Sequence, residues 1–393
     1  MERTQVLIAG AGPVGAVAAY VLAKAGIDVV LVEAANAIPQ DMRASTIHPP
    51  TLQMLEDWGL LPELEAQGLR APVYQYRNRR SGGVLSFDMG ELADISAHPY
   101  RLQCEQFKIV ATATDQPELA GRTRFGQRII WFEQDADGVT ATCETAHGTA
   151  TYRADFLLGA DGANSLVRKL IGVPFDGFTY PEKFLTLSTD YPVEQHFPGL
   201  ANVSYVADAE EWYVLLRVPG LWRLLVPADP EKSDEELLSD AKKNEVFGGL
   251  LGIDASAIQT HHRTIYRVHQ RVVSRYDHGR VLLMGDAAHL NNPLGGFGMN
   301  SGLHDAWNLT DKLKRVILGG EAYAPLFEQY DRQRRTIMHE FVQAQTIQNK
   351  ADMLDADQRQ AKFEEVLADP VKRRNHLLRQ SMYDSRAREA EIG

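Results

Sequence analysis

The stretch Val6–Gly15, VLIAGAGPVG, decides the fold of this chain. Its apolar run is too short for a helix and ends in glycine, a pattern typical of a strand buried on both faces of a parallel sheet. A helix is expected next, because Pro13 suits a first helical turn and the alanine-rich segment after it has high helix propensity. A second buried strand, Val29–Val32, then ends at Glu33. This order of strand, glycine turn, helix and strand predicts a parallel α/β domain.

The three glycines of the turn have separate tasks in a dinucleotide site. Gly10 permits the tight turn, Gly12 lets backbone amides approach a pyrophosphate, and Gly15 lets the helix pack closely on the strand. The helix N-terminus then faces the anion, and Glu33 accepts hydrogen bonds from a ribose. The alternative is a tight connection in a sheet that binds nothing. The carboxylate 18 residues after Gly15 favours the dinucleotide, although this segment does not distinguish NAD from FAD.

Two later segments decide between the two cofactors. They are LLGADG at Leu157–Gly162 and GDAAH at Gly285–His289, and each ends a predicted buried strand. Asp286 is therefore expected at the carboxyl edge of the sheet, where open α/β folds bind ligands; a strand-end cap is the alternative. The glycine-rich stretch Pro293–Asn300 precedes a helix whose positive end suits the pyrimidine edge of a flavin. Together the three segments predict an FAD pocket.

These motifs, with Arg43–Thr46 and Gln103, closely resemble the single-component, class A flavoprotein aromatic monooxygenases of the para-hydroxybenzoate hydroxylase type. The resemblance runs from about Gln5 to Gly320. It implies that Asp286 binds the ribityl chain and that Arg43 lies near the pyrophosphate and helps to receive NAD(P)H.

The same resemblance supplies the remaining contacts. It places Gln103 near the flavin and makes Asp161 part of a segment shared between FAD and NAD(P)H. Pro293 and the Gly298–Asn300 run then line the isoalloxazine ring. The predicted cofactor-binding residues are Gly10, Gly12, Pro13, Gly15, Glu33, Arg43, Gln103, Asp161, Gly285, Asp286, Pro293, Gly296, Gly298, Met299 and Asn300.

A different pattern separates the FAD segments. Residues 74–99 and 173–268 alternate polar and apolar side chains, which predicts a mostly antiparallel sheet able to cover the flavin. We therefore expect a Rossmann-like FAD-binding domain with a parallel sheet, interleaved with a β-sheet substrate domain and followed by C-terminal helices. The predicted bounds are 1–73, 100–172 and 269–320 for the FAD-binding domain, 74–99 and 173–268 for the substrate-binding domain, and 321–393 for the helical region.

The candidate substrate-side residues rest on weaker signals. Arg223 occupies a place where the family has an arginine facing the flavin, and a surface strand arginine is the alternative. Tyr205 and Tyr213 are candidates to hydrogen-bond a phenolic oxygen, although tyrosines in sheets are usually packing residues. His48 follows the Arg43 loop and is expected near the pocket, together with Pro293. The sequence singles out no catalytic base.

Composition agrees with a cytoplasmic enzyme, and we expect a monomer or a homodimer. The net charge of −11 over 393 residues argues against nucleic-acid binding. The two cysteines give neither a disulfide framework nor a metal signature, and no metal site is assigned. No stretch reaches the ~20 apolar residues of a transmembrane helix, so no membrane contact is expected.

The chemistry follows from a single dinucleotide motif. NAD(P)H, as NADH or NADPH, is expected to visit, reduce the flavin and leave. The resemblance implies that reduced flavin reacts with dioxygen and that the resulting flavin hydroperoxide hydroxylates a small phenolic or hydroxylated heteroaromatic ring. The alternatives are Baeyer–Villiger oxidation, N-hydroxylation or substituent removal on the same scaffold. A flavin-dependent halogenase and a non-catalytic flavin-binding protein are weaker rivals.

Overall fold

A computed structural model describes residues 1–40, 42, 44–207 and 211–393. Its strands are β1 (Glu2–Ala9), β2 (Val29–Glu33), β3 (Thr46–Ile47), β4 (Leu69–Ala71), β5 (Val73–Asn78), β6 (Val84–Asp88), β7 (Arg101–Gln103), β8 (Thr123–Phe125), β9 (Arg128–Gln134), β10 (Val139–Thr145), β11 (Gly148–Gly159), β12 (Phe175–Thr189), β13 (Val203–Ala207), β14 (Trp212–Val218), β15 (Leu221–Ala228), β16 (His262–Val273), β17 (Asp277–His278), β18 (Val281–Leu283) and β19 (His289–Leu290).

The α-helices are α1 (Pro13–Lys24), α2 (Pro49–Trp58), α3 (Leu61–Ala66), α4 (Gln106–Thr114), α5 (Leu166–Ile171), α6 (Asp234–Leu237), α7 (Asp240–Leu251), α8 (Phe297–Ile317), α9 (Tyr323–Ile337), α10 (Ala344–Leu354), α11 (Ala356–Ala368), α12 (Pro370–Gln380) and α13 (Tyr383–Glu391). A π-helix at Met338–Gln343 joins α9 to α10. Short 3-10 helices occupy Met89–Leu92, Pro117–Leu119, Val193–His196 and Gly285–Ala287.

The first sheet confirms the predicted parallel arrangement around the N-terminal motif. Its described strands follow the order β17-β18-β11-β1-β2-β8, and β10 and β9 continue it from β11. The pairs β1–β2, β1–β11 and β11–β18 are parallel, and their register aligns Ala9 with Val32, with Gly159 and, through Gly159, with Leu283. The four strands therefore end on one line, which brings the segments that follow them to a common edge.

The second sheet confirms the predicted antiparallel arrangement. Its described strands follow the order β19-β16-β12-β15-β14-β13-β5-β6, and all of its pairs are antiparallel except β13–β5. Side chains alternate between its two faces. One face packs on α6 and α7 through Leu215, Leu224 and Phe247. The other face points to the first sheet and to the helices near the C-terminus.

The C-terminal helices complete the core of both units. Tyr330 and Ile337 of α9 join the core of the first sheet, whereas Phe363 of α11 and Leu377 of α12 pack against the second. The observed α/β architecture with C-terminal helices is therefore the predicted fold class, while the exact domain bounds stay a prediction. Within the described residues we find no helix with the length and hydropathy needed to cross a membrane.

Candidate active site

A cavity of about 430 Å³ lies between the common strand edge of the first sheet and the facing side of the second. Its first wall includes Gly12, Pro13, Ser45, Thr46, Gln106, Gly162, Gly285, Asp286, Pro293, Gly296, Gly298 and Met299. Its second wall includes Thr186, Tyr205, Val214, Leu216, Arg223, Leu225, Tyr266, Arg267 and His269. All three predicted FAD segments thus contribute to one cavity, and the second sheet covers it.

The three glycines of the turn differ in the space available for a side chain. A Cβ atom on Gly10 would lie 2.4 Å from the carbonyl oxygen of Ala160, and one on Gly15 would lie 2.0 Å from the carbonyl oxygen of Gly10. A Cβ atom on Gly12 would meet no atom within 4 Å. Gly12 is the N-cap of α1 and no side chain caps this helix. The first amides of the helix are therefore available to an anion beside Gly12.

The carboxylate of Glu33 is fixed against this turn. It accepts a hydrogen bond from the backbone N–H of Ala11 at 2.7 Å and one from the N–H of Ala35 at 2.8 Å. A second cavity, of about 360 Å³, begins directly after it at Ala34 and Asn36. Glu33 therefore stands between the glycine turn and a surface cleft.

The opposite end of the main cavity is formed by the turn after β18 and the loop before α8. Asp286 is exposed in the cavity although Gly285 and Ala287 on either side are buried. Helix α8 begins at Phe297 with Gly296 as its N-cap and no capping side chain. An exposed carboxylate and a second uncapped helix N-terminus therefore face the same cavity as the glycine turn. A hydrogen-bond acceptor and two sets of free helix amides fit a dinucleotide that carries an electron-accepting ring.

Several predicted residues lie outside the described lining and support it from behind. Asn300 donates from Nδ2 to the carbonyl oxygens of Thr46 (2.8 Å) and Gly296 (2.7 Å), and its Oδ1 accepts from the N–H of His48. It therefore joins the loop before α8 to β3. The predicted Arg43 lies outside the described residues.

Gln103 and Asp161 are likewise set back from the cavity. The Gln103 side chain is buried and accepts a hydrogen bond from Thr46 Oγ1 at 3.2 Å. Asp161 accepts hydrogen bonds from the N–H groups of Leu166 (2.7 Å) and Val167 (3.1 Å), which caps α5. Gln106, three residues after Gln103, is the glutamine that lines the cavity.

The second sheet separates the substrate-side candidates by face. Tyr205 and Arg223 line the cavity, whereas Tyr213 belongs to the core on the opposite face with α7. Tyr205 pairs with Val214 across the β13–β14 register, so the neighbouring Tyr213 must point the other way. Arg223 is 2% exposed and donates to Ser45 Oγ at 3.0 Å. It is therefore a buried cation at the cavity and not a surface arginine.

His48 is a buried support for the loop and is not among the described lining residues. Its Nε2 lies 2.8 Å from the carbonyl oxygen of Gly295, and because a carbonyl only accepts, Nε2 carries the proton. Its ring stacks on Phe297 with centroids 5.3 Å apart. Burial, with the charge of Arg101, lowers the pKa of the His48 imidazole well below its usual value. His48 is therefore neutral at neutral pH.

A family model described as an FAD binding domain matches residues 3–345 of this chain. Para-nitrophenol 4-monooxygenase of Pseudomonas sp. (strain WBC-3) is 32% identical over 386 residues, which cover 95% of this chain and 94% of that relative. The chain belongs to the FAD-dependent aromatic monooxygenases. The monooxygenase is also 31% identical over 342 residues to 6-hydroxy-3-succinoylpyridine 3-monooxygenase HspB of Pseudomonas putida (strain DSM 28022 / S16), with 85% and 86% of the two chains covered.

Structural comparison agrees. The crystal structure of p-nitrophenol 4-monooxygenase PnpA from Pseudomonas putida DLL-E4 matches with a TM-score of 0.90 at 31% identity and covers 96% of this chain and 98% of that one. The resemblance predicted from the sequence is thus confirmed for the family, the fold and FAD as cofactor.

Sequence reasoning missed part of the cavity wall. Thr186, Tyr266 and Arg267 line it from β12 and β16 without any motif. For Thr186 the available signal was the alternation of side chains along β12, which defines two faces but does not say which one lines the cavity. Along β16 alternation gives no such signal, because the adjacent residues Tyr266 and Arg267 both line the cavity.

Proposed function

We propose that this monooxygenase hydroxylates a single-ring phenol or hydroxypyridine with NADH or NADPH as the reductant. The observation that carries the proposal is that Tyr205 and Arg223 both line the cavity from the second sheet, while Pro293 lines it from the other wall. Reduced FAD supplies the activated oxygen; the residues of the chain hold the cofactor, orient the ring and exclude water.

The cofactor placement follows the order of donors along the cavity. The uncapped N-terminus of α1 at Gly12 suits the pyrophosphate, and Glu33 beyond it suits the ribose of the adenosine end. Asp286 suits the ribityl hydroxyls because an exposed carboxylate accepts hydrogen bonds from them. The start of α8 then provides positive amides for the flavin ring next to Pro293.

Tyr205 is the proposed partner of the substrate oxygen. Its ring stacks on Tyr76 with centroids 4.9 Å apart, and Tyr76 packs on Phe363 at 4.5 Å. The Tyr205 hydroxyl makes no hydrogen bond to any other described residue, so it can donate one to a phenolic oxygen in the cavity. The aromatic packing behind the ring fixes the direction of that hydroxyl.

Arg223 supplies positive charge from the same wall of the cavity. A fixed cation favours the charged form of a nearby acid, so it favours ionisation of a bound phenol. A phenolate ring is richer in electrons and reacts more readily with an electrophilic oxygen. The named substrates of the two relatives, para-nitrophenol and a hydroxypyridine, are consistent with this preference.

The test is a turnover assay with para-nitrophenol, simple phenols, aminophenols and hydroxypyridines, using NADH and NADPH under labelled dioxygen. We expect substrate-stimulated flavin reduction and one labelled oxygen atom in the product. Failure to label any of these rings, with halogenation of one of them in chloride or bromide, would overturn the proposal.

Tyr205→Phe and Tyr213→Phe provide a matched pair for the residue assignment. Loss of a hydrogen bond to a charged oxygen costs about 1.5–3 kcal/mol, or about 10- to 150-fold in kcat/KM. Tyr205→Phe should show this loss because Tyr205 lines the cavity, and Tyr213→Phe should stay within about twofold because Tyr213 lies in the core of the opposite face. Equal effects in the two variants would remove Tyr205 from the binding role.

We also propose that the enzyme acts in the cytoplasm as a monomer or a homodimer. Two buried cysteines without a disulfide support a reducing compartment. Light scattering after size exclusion tests the oligomeric state, and a tetramer would contradict it.

A further inference from the structure

Helix α8 carries a buried polar stripe that the cofactor contacts do not explain. Asp305, Asn308 and Lys312 recur at spacings of three and four residues and are 0%, 7% and 5% exposed. Charged side chains are almost never fully buried unless they are paired. Two charged groups on the buried side of one helix therefore need partners and a reason.

The Asp305 carboxylate accepts hydrogen bonds from both ends of the turn that contains Asp286. Its Oδ2 accepts hydrogen bonds from the N–H of Gly285 at 2.9 Å and from His289 Nε2 at 2.7 Å. Gly285 begins the turn and His289 follows it, so one carboxylate group holds two points with Asp286 between them. Burial would raise the pKa of Asp305, but His289 and Arg334 lower it below its usual value, which keeps the carboxylate charged.

Arg334 of α9 connects this carboxylate to the start of α8 and to the last helix. Its Nε donates to Asp305 Oδ1 at 2.7 Å, its Nη2 to the carbonyl oxygen of Ser301 at 3.1 Å, and its Nη1 to Glu389 Oε2 at 2.7 Å. Asn308 Nδ2 donates to Glu389 Oε1 at 2.5 Å. Helix α13 is thereby joined to the turn after β18 through three fully or nearly buried charges.

Buried ion pairs are weak evidence of stability, since well-packed apolar residues often replace them at no cost. Their directional hydrogen bonds, in contrast, fix geometry. We propose that Asp305, held by Arg334 and Glu389, is a positioning residue that presents the Gly285–His289 turn for FAD. The proposal rests on the placement of FAD at Asp286 given above.

Asp305→Asn and Asp331→Asn test this with the protein in its FAD-loaded form. Asp331 is the matched control, because it is also buried, accepts a backbone hydrogen bond, from Tyr276 N at 2.8 Å, and pairs with the neighbouring arginine, Arg335. Both variants should lower the Tm. Only Asp305→Asn should release FAD at least tenfold faster after dilution, followed by the recovery of flavin fluorescence.

Wild-type FAD release in Asp305→Asn, or equally fast release in Asp331→Asn, would overturn the positioning role. Asp286→Ala in the same assay separates this from a failure of the cofactor placement. Fast release in Asp286→Ala with wild-type release in Asp305→Asn refutes positioning alone. Wild-type release in Asp286→Ala refutes the placement of FAD at this turn and the positioning with it.

If Asp305→Asn does not fold, Glu389→Gln decides the question. This change keeps the shape of the side chain but removes the charge that holds Arg334. We expect at least threefold faster FAD release. Glu391→Gln on the same helix is the control, since Glu391 pairs with Arg388 at the surface, and it should behave as wild type. Wild-type release in Glu389→Gln would then overturn the proposal.

Discussion

Gly12→Ala and Gly15→Ala should separate cofactor binding from folding within one turn. At Gly12 an added methyl group would meet no protein atom within 4 Å, and the backbone already has φ −69° and ψ 176°, which alanine adopts freely. At Gly15 the methyl carbon would lie 2.0 Å from the carbonyl oxygen of Gly10 and 3.2 Å from the Cβ of Ala160. Only the second change forces the protein itself to move.

The magnitudes follow from these distances. Gly12→Ala reduces the entropy of the unfolded chain and should leave the protein without FAD equally stable or more stable by about 0.4–1 kcal/mol. In the cavity, however, the methyl group occupies the approach to the amides of α1. Loss of one amide–phosphate hydrogen bond costs about 1.5–3 kcal/mol, or about 10- to 150-fold in the Kd for FAD. Gly15→Ala should cost about 3 kcal/mol of folding stability, at the upper end of overpacking effects, because the clash is with backbone.

The assay measures each quantity alone. Thermal unfolding of the FAD-free variants reports folding, and titration of FAD followed by fluorescence quenching reports binding. Gly12→Ala should bind FAD weakly at an unchanged or slightly higher Tm, while Gly15→Ala should unfold several degrees lower. Wild-type affinity in Gly12→Ala would refute the assignment of this turn to the pyrophosphate. A drop in Tm for Gly12→Ala equal to that for Gly15→Ala would refute the distinction between them.

Three further outcomes are expected. Glu33→Ala and Asp286→Ala should each raise the Kd for FAD by about tenfold or more, since each removes a charged acceptor; wild-type affinity in both would remove these assignments. Burial raises the pKa of the Cys104 and Cys143 thiols to about 12, so native enzyme should resist iodoacetamide at pH 8, and labelling without denaturant would contradict their burial. Burial lowers the pKa of His376 to about 3, below its unfolded value of about 6.5, so the unfolded chain binds a proton first as the pH falls. Between pH 6 and 4 the free energy of unfolding therefore falls by up to about 1.4 kcal/mol per pH unit. His376→Met should lose this part of the pH dependence, measured by urea unfolding. A pH dependence equal to wild type would show that His376 is protonated in the folded protein.

The parallel core and the cofactor edge were predictable because their signals are local. Val6–Ala9 is apolar at every position, which distinguishes a strand buried on both faces. Glycine follows the strand in the first motif, and glycine and aspartate lie at the strand end in the other two. Parallel strands end at the same edge of a sheet, so residues after separate strands meet without further information. The register of Ala9, Gly159 and Leu283 shows this directly.

The substrate side was less predictable because the alternation of side chains along a strand defines two faces but does not show which of them lines the cavity. Tyr205 and Tyr213 have the same residue type and lie on adjacent strands, yet only Tyr205 lines the cavity. The difference is set by the cross-strand register and by which face α7 covers, and both depend on residues far apart in the chain. The same holds for Gln103 and Gln106, since the direction of each side chain depends on where β7 ends and α4 begins.

The sequence by itself determined the α/β class, FAD as the cofactor and the family, because these depend on short runs whose chemistry is the same wherever the chain folds. The tertiary structure alone decided which side chains reach the cavity and which hold it from behind. Asp305, Arg334 and Glu389 lie on three helices, and no local pattern relates them. A buried charge needs a partner that satisfies it, and only the folded chain shows where that partner lies.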